Sequence, residues 1–503
     1  MTPQSQLKSI SKGAIFSFFG SGTFFVLNYL LLYIISRFSD TGVVGLLFIS
    51  LNLINIMAIL SRQGLSEGIL RYVSVNNGIL DAPRVKGVFA FSILYVLFVS
   101  SVVSIILFVN SQLIAGILSK PSLAILIKIF AICLPFIAIF KIFMSVFQGL
   151  QEIKYIALFQ GILLPALLIT IYLLAYLVGG ARFIGLGISY IGAYFIVIVF
   201  AAIKIKSIFK GKIIVKAKDC MELLAFSFPL TFVGLLSLAS GQIDALILGW
   251  YKNAQEVGLF VITFNLSLVC SAFLSLINYI FAPVTANLHG QNDIKTLEEV
   301  VKTVTRWILM LSLPIYFIFI INANMILQIF GKEYSAGYYP LLLLCSAQLF
   351  YAVGGLSAVL LPMIGKSYFA FFNSFIFLFL NAIFDILLVP LYGMMGAALG
   401  FSASLFIISL ITMLQIYFIL KIHQFSLKLL LPIICMAAIF VIGYLNKGMI
   451  YSNILYVFMF SILGISIYIG IMMHFIQKND KEILKYIMHG SIGKVKNALF
   501  HIK

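Results

Sequence analysis

The chain has 503 residues, of which 63% are hydrophobic and only 10% are charged, and its mean hydropathy is +1.15. A soluble domain carries roughly 25% charged residues, so this composition excludes a soluble fold. The long runs are apolar on every face, whereas the strands of a membrane β-barrel alternate apolar and polar residues. The composition therefore predicts an all-α protein that crosses the membrane many times.

Apolar runs long enough to span a bilayer, which takes about 20 residues, recur along the whole chain. The sequence predicts about fourteen membrane spans, at 13–36, 42–61, 86–109, 123–147, 155–178, 183–203, 223–250, 257–284, 304–322, 338–363, 368–389, 394–420, 427–446 and 451–476. With this count, 25 of the 33 Lys and Arg residues fall on one side of the membrane and six on the other, and Lys128 and Lys141 lie inside the fourth run. Because cytoplasmic loops are rich in Lys and Arg, the asymmetry predicts cytoplasmic termini and a multi-pass protein of the cell (cytoplasmic or inner) membrane.

The net charge of +18 would indicate nucleic acid as a partner if the protein were soluble. In a membrane protein the cytoplasmic loops account for it, so no nucleic-acid partner is expected. The five cysteines stand singly without a CxxC motif, and the five histidines lack the spacing of metal ligands. We therefore expect neither a disulfide framework nor a metal site.

An internal repeat divides the chain into two halves. Residues 44–53 (VGLLFISLNL) and 257–266 (VGLFVITFNL) are identical at six of ten positions, at an offset of 213. An even number of spans separates the copies, so both run the same way through the membrane, as in carriers built from two lobes around a midplane cavity. The predicted parts are an N-terminal six-helix lobe (1–205), a basic cytoplasmic linker (206–222), a pseudo-symmetric C-terminal six-helix lobe (223–420), two added helices (421–476) and a basic amphipathic cytoplasmic tail (477–503).

No catalytic constellation or phosphate-binding glycine loop is found, so charges inside the membrane are the functional candidates. Asp244 and Asp385 lie at similar depth in spans 7 and 11. A desolvated carboxylate there could take up a proton or a sodium ion, and the alternative is a fixed hydrogen bond between helices. Asn52 and Asn265, at matching positions of the repeat, could line a wet cavity or bond across helices.

Positive charges collect near the predicted cytoplasmic ends of two spans. Arg62, Glu67 and Arg71 follow span 2, and Lys141 lies near the inner end of span 4. These residues could have a functional role within the membrane. Alternatively, Lys141 could extend its ammonium to the headgroups, and Glu67 and Arg71, spaced i,i+4, could form an ion pair with each other.

Three segments resemble the signature of polysaccharide flippases of the MOP (multidrug/oligosaccharidyl-lipid/polysaccharide) exporter superfamily. They are GLSEGILRY (64–72), QIDALILG with the following EVGL (242–249 and 256–259), and PLYGMMGAA (390–398). The resemblance extends over essentially the whole chain and includes the fourteen-span count. It implies the MATE-like fold of that superfamily.

The resemblance also implies a function and its partners. Such flippases move a polyprenyl-pyrophosphate-linked oligosaccharide from the cytoplasmic to the outer leaflet by alternating access, for cell-surface polysaccharide biosynthesis. We therefore expect no enzymatic activity and no cofactor, with coupling to a proton or sodium gradient left open. The expected partners are the lipid-linked glycan, membrane lipids, and polysaccharide polymerase or assembly proteins. The candidate substrate-binding residues are Arg62, Arg71, Lys141, Glu67, Asn52 and Asn265, and the candidate ion-coupling residues are Asp244 and Asp385.

Two other functions fit parts of the sequence. A MATE-type cation-coupled drug or toxin exporter has the same fold, but it favours a twelve-span core and an acidic cavity. A membrane-embedded polysaccharide polymerase would want a large outer loop with reactive residues, which the sequence lacks. A scaffold without transport activity would leave the repeated lobes unexplained.

Overall fold

The computed structural model describes residues 22–76, 82–150, 152–179, 182–208, 213–228, 230–426, 429–445 and 454–474. These residues form helices and short connections, with no β-strand among them. Ten helices in the described ranges are long and apolar enough to cross a membrane, and three shorter apolar helices accompany them. The predicted class, an all-helical multi-pass membrane protein, is confirmed, while the count of fourteen spans stays a prediction.

Contacts divide the described residues into two compact units, of which the first comprises those of 22–262 and 389–394. A π-helical turn, Ala157–Leu163, joins the helices Ile153–Ile156 and Leu164–Gly179. The helices of this unit are α1 (Gly22–Phe38), α2 (Thr41–Arg62), α3 (Leu65–Asn76), α4 (Ala82–Val109), α5 (Ser111–Ile117), α6 (Leu123–Gly149), α7 (Ile153–Ile156), α8 (Leu164–Gly179), α9 (Arg182–Ile208), α10 (Ala217–Ser227), α11 (Leu230–Tyr251) and the first part of α12 (Ala254–Leu268).

Helix α6 is the centre of the first unit. It packs against α2, α3, α4 and α9. Leu126, Phe130 and Leu134 are fully buried, and so is Phe147 near the end of the helix. A helix that is apolar all round can face either lipid or other helices. The contacts made by α6 therefore show its central place, which its sequence alone does not decide.

A sharp break separates α2 from α3. Gln63 and Gly64 have positive φ angles of 46° and 71°, and these left-handed conformations end α2. The hydroxyl of Tyr95 donates a hydrogen bond of 2.7 Å to Oε1 of Gln63. At Gly64 a Cβ would overlap the carbonyl oxygen of Ser227 in α10, so glycine serves both the turn and the close approach of α10 to α3.

The second unit comprises the described residues of 263–388 and 395–474. Asp293 is the N-cap of the unit's longest helix, and its carboxylate accepts a hydrogen bond of 3.2 Å from the amide of Thr296. The elements of this unit are the rest of α12, a 3-10 turn (Val269–Ser271), α13 (Ala272–Gly290), α14 (Ile294–Phe330), a 3-10 turn (Lys332–Gly337), α15 (Tyr338–Gly354), α16 (Leu356–Met363), α17 (Ser367–Tyr392) up to Leu388, α18 (Met394–Leu420) from Met395, α19 (Leu430–Leu445) and α20 (Ile454–His474).

The predicted lobe, linker and tail boundaries are not decided by these units and stay predictions. Helix α11 packs against α2 within the first unit. The predicted tail (477–503) and residues 209–212 of the predicted linker lie outside the described residues.

Candidate functional site

Two cations of the first unit share one internal recess. Arg62 is the last residue of α2, and Lys141 lies in the final third of α6. Their charges are close enough to repel each other, and the Glu67 carboxylate in α3 is within electrostatic reach of both. The Tyr194 hydroxyl in α9 is within reach of Arg62. We call these four residues the cationic recess.

Three side chains of the cationic recess are enclosed but still partly accessible, and the fourth, Glu67, is exposed. Protein atoms surround Arg62, Lys141 and Tyr194 on nearly all sides. Each of them nevertheless keeps part of its surface accessible. A side chain that is both enclosed and partly accessible lines an internal space, so these residues form the wall of a recess within the helices of the first unit.

The two cations have no bonded acceptor among the residues that the structure describes. Neither Arg62 nor Lys141 makes a side-chain hydrogen bond or an ion pair with any residue that the structure describes. Enclosing two like charges without bonded partners is costly, because they lose hydration and repel each other. An anionic group that enters the recess would remove this cost, so the arrangement is suited to binding an anion.

The structure places Arg71 apart from the cationic recess. Its guanidinium carbon lies 4.1 Å from the centroid of the Phe226 ring in α10. The i,i+4 ion pair with Glu67 is not formed within the described part of the chain. The hydroxyl of Tyr72 donates to the Asp219 carboxylate at 3.4 Å, which also ties α3 to α10. Arg71 is exposed, so its predicted contact with substrate stays a prediction.

The two candidate asparagines lie in different units. Asn52 in α2 is buried, and its Nδ2 donates to the carbonyl oxygen of Gln242 in α11 at 3.5 Å. Asn265 in α12 is half-buried in the second unit. Asn52 therefore links two helices, and the substrate-binding role of both residues stays a prediction.

Both candidate coupling carboxylates are fully buried, at 0% exposure. Asp244 lies in α11 of the first unit, and Asp385 lies in α17 of the second. A Cβ on Gly400 of α18 would overlap Oδ1 of Asp385, so the packing around that carboxylate is tight. Neither residue belongs to a metal-ligand cluster, since the described residues contain no group of three His, Cys, Asp or Glu side chains that could hold a metal ion.

Sequence reasoning missed two tyrosines beside the cationic recess. Tyr190 and Tyr194 lie one turn apart on α9, with ring centroids 6.3 Å apart and planes inclined by 27°. Tyr190 packs edge-on against Phe130 and Tyr194 against Phe140, at centroid distances of 5.2 and 5.4 Å. The available signal was the i,i+4 spacing of two tyrosines in a largely apolar helix.

The all-helical fold defines a multi-pass membrane protein whose first unit encloses two cations. Residues 229–387 match the MatE family, and residues 10–289, more than half of the chain, match the polysaccharide biosynthesis protein family. The chain therefore belongs to the polysaccharide biosynthesis protein family, within the MOP superfamily. A search of curated protein sequences finds no significant match.

Solved structures share the fold over most of the chain. The lipid II flippase MurJ, in an inward closed conformation, aligns at 18% identity with a TM-score of 0.66, over 88% of this chain and 98% of its own. An inward-facing MATE family multidrug transporter aligns at 14% identity with a TM-score of 0.63, over 78% of this chain and 94% of its own. A MOP superfamily transporter from Pyrococcus furiosus aligns at 16% identity with a TM-score of 0.60, over 84% of this chain and 98% of its own. At such identities the likeness establishes the fold of a MOP transporter or flippase.

Proposed function

We propose that the protein is a flippase, without enzymatic activity, for a polyprenyl-pyrophosphate-linked oligosaccharide. It moves this lipid from the cytoplasmic to the outer leaflet of the cell membrane by alternating access, for cell-surface polysaccharide biosynthesis. The observation that carries the proposal is the enclosed pair Arg62 and Lys141, two cations without a bonded acceptor among the described residues.

The physical problem of flipping explains why such a pair is useful. The polyprenyl tail can stay in the bilayer, but a diphosphate and its sugars cannot cross hydrocarbon without losing their hydration. A guanidinium binds phosphate oxygens in a bidentate geometry, and an ammonium adds a compact charge. Arg62 and Lys141 together can replace the water around the diphosphate while the binding site changes from inward-facing to outward-facing.

The other candidate residues have supporting roles in this proposal. Glu67 partly offsets the two cations when the recess is empty, since its charge reaches both. Arg71, exposed on α3, attracts the diphosphate toward the recess. Asn52 and Asn265 offer amides to the sugars. Asp244 and Asp385 couple flipping to a proton or sodium gradient, with no further cofactor.

A MATE-type exporter is the second candidate, because residues 229–387 match the MatE family. An exporter of cationic drugs needs a cavity that attracts positive charge. The cationic recess repels positive charge, which favours an anionic substrate. The proposed location is the cytoplasmic (inner) membrane with both termini inside, where the flipped glycan passes to polymerase or assembly proteins.

Complementation of a deletion strain tests the proposal. Cells without the protein should accumulate lipid-linked glycan in the cytoplasmic leaflet, and the wild type should restore export. Arg62→Gln and Lys141→Gln should each reduce export by about tenfold or more, because a charged hydrogen bond contributes about 1.5–3 kcal/mol. Lys128→Gln is the matched control, since Lys128 lies on the same helix with its ammonium 5.7 Å from the Phe108 ring. Normal export by the Arg62 and Lys141 variants would refute the role of the pair.

A further inference from the structure

Tyr190 and Tyr194 combine enclosure with free hydrogen-bonding capacity. Protein surrounds both rings closely, yet each side chain remains partly accessible. Neither hydroxyl hydrogen-bonds to any residue within the described ranges, and neither is among the fully buried polar atoms that lack a partner. Both hydroxyls therefore face an accessible space inside the first unit.

Other tyrosines of the same unit behave differently. The Tyr172 hydroxyl lies 3.4 Å from the Ser39 hydroxyl, and Tyr95 donates to Gln63 at 2.7 Å. An enclosed tyrosine usually finds such a partner within the protein. The α9 tyrosines are exceptions among the described residues, so their hydroxyls are suited to hydrogen-bonding a ligand.

The two rings are held in place before any ligand arrives. Phe130 and Phe140 of α6 meet Tyr190 and Tyr194 edge-on, with interplanar angles of 83° and 82°. A ring fixed by its neighbours loses little conformational entropy when it binds a ligand. This arrangement is a rigid surface with two phenol groups one helical turn apart.

The tyrosine pair adjoins the cationic recess. Tyr194 belongs to both, since its hydroxyl is within electrostatic reach of Arg62. Tyr190 lies one turn, about 6 Å, farther from the C-terminal end of α9 than Tyr194. A ligand held by Arg62 and Lys141 would reach Tyr194 first and Tyr190 next.

We propose that Tyr190 and Tyr194 form a saccharide subsite beside the diphosphate-binding cations. Sugar rings carry apolar C–H faces that pack on aromatic rings, and their hydroxyls exchange hydrogen bonds with phenols. The first sugars of the lipid-linked glycan therefore lie along α9 while the diphosphate stays at Arg62 and Lys141. This inference rests on the proposed flippase function.

Binding measurements on the full chain in lipid nanodiscs test the subsite. The first probe is the lipid-linked oligosaccharide that cells lacking the protein accumulate, and the second is the polyprenyl diphosphate obtained by removing its saccharide. Tyr190→Phe and Tyr194→Phe should each weaken binding of the glycosylated probe about fivefold, since the lost hydrogen bond is worth about 1 kcal/mol. The double alanine variant, which also loses the aromatic contacts, should weaken it about tenfold or more. Binding of the bare diphosphate by Tyr190→Phe, which lies outside the cationic recess, should not change, and this also shows that the variant is folded.

The controls separate the two proposals. Arg62→Gln and Lys141→Gln should weaken both probes, and unchanged binding of both would refute the proposed function itself. Tyr316→Phe, which alters a tyrosine bonded to Ser346 in the second unit, should change neither. The subsite is refuted if wild-type protein binds the glycosylated probe no more tightly than the bare diphosphate. Tyrosine variants that change neither probe, or both equally, would also refute it.

Discussion

Gly45 of α2 and Gly258 of α12 stand 213 positions apart in the sequence and pack against the start of each other's helix. A Cβ on Gly45 would overlap the carbonyl oxygen of Ala254, and a Cβ on Gly258 would overlap that of Thr41. Thr41 and Ala254, the first residues of the two helices, are themselves 213 positions apart. The two copies of the sequence repeat therefore contact each other reciprocally within the first unit.

Substitution of either glycine should destabilise this contact. Gly45→Ala or Gly258→Ala places a methyl group against a backbone carbonyl that cannot rotate away, so we expect a loss of about 1–3 kcal/mol in the free energy of unfolding. Gly42→Ala is the control, because its Cβ would meet only Cγ of Gln255 at 3.6 Å. Thermal unfolding of the purified variants measures the difference. Equal stability of Gly258→Ala and Gly42→Ala would contradict the contact.

Lys120 should stabilise the end of α11. Its ammonium donates to the carbonyl oxygens of Gly249 and Lys252, the latter at 2.8 Å. A cation at the C-terminus of a helix also interacts favourably with the helix dipole. Lys120→Met should therefore lower the free energy of unfolding by about 1–3 kcal/mol. Exposed Lys332 provides the control, and a Lys332→Met variant that unfolds at the same temperature as Lys120→Met would rule out the capping role.

The predicted topology can be tested by cysteine labelling. Asn253 is exposed and follows α11 on the side predicted to be outside, so Asn253→Cys should react with a membrane-impermeant reagent in whole cells. Lys210→Cys should react only after the membrane is opened. The native cysteines give a low background, because four of the five are buried. The reverse labelling pattern would contradict cytoplasmic termini.

Energy coupling through Asp244 and Asp385 predicts a specific defect. Both carboxylates are fully buried, and a cation bound there would respond to the membrane potential, which supplies about 2.3 kcal/mol per charge per 100 mV. Asp244→Asn and Asp385→Asn should leave the protein folded, and at least one should abolish gradient-dependent transport. If both variants flip glycan at the normal rate in vesicles with a proton or sodium gradient, the two residues are structural.

The sequence predicts the helical class well because hydropathy and charge asymmetry act locally along the chain. It also places Arg62 and Lys141 at the same predicted side of the membrane. It could not predict their common recess, since that depends on how α2 and α6 pack. The break at Gln63 and Gly64 changes the direction of the chain between Arg62 and the residues of α3.

The proposed saccharide subsite could not be predicted from the sequence for the same reason. In the sequence, Tyr190 and Tyr194 cannot be told apart from the other tyrosines. Their contacts with Phe130 and Phe140 of α6 distinguish them only in the folded protein. Likewise, the i,i+4 spacing of Glu67 and Arg71 suggests an ion pair. In the structure, the Arg71 guanidinium packs instead on the ring of Phe226 in α10, which is far away in the sequence. Contacts between segments far apart in sequence decide these positions.

Transport by purified protein in vesicles tests the central claim most directly. Vesicles that contain the lipid-linked oligosaccharide are assayed for its appearance in the opposite leaflet, and matched vesicles are assayed for uptake of a cationic drug. We predict that the wild type flips the glycan lipid, that the double variant Arg62→Gln and Lys141→Gln does not, and that neither moves the drug. Drug uptake without glycan flipping would contradict the flippase and identify a MATE-type exporter.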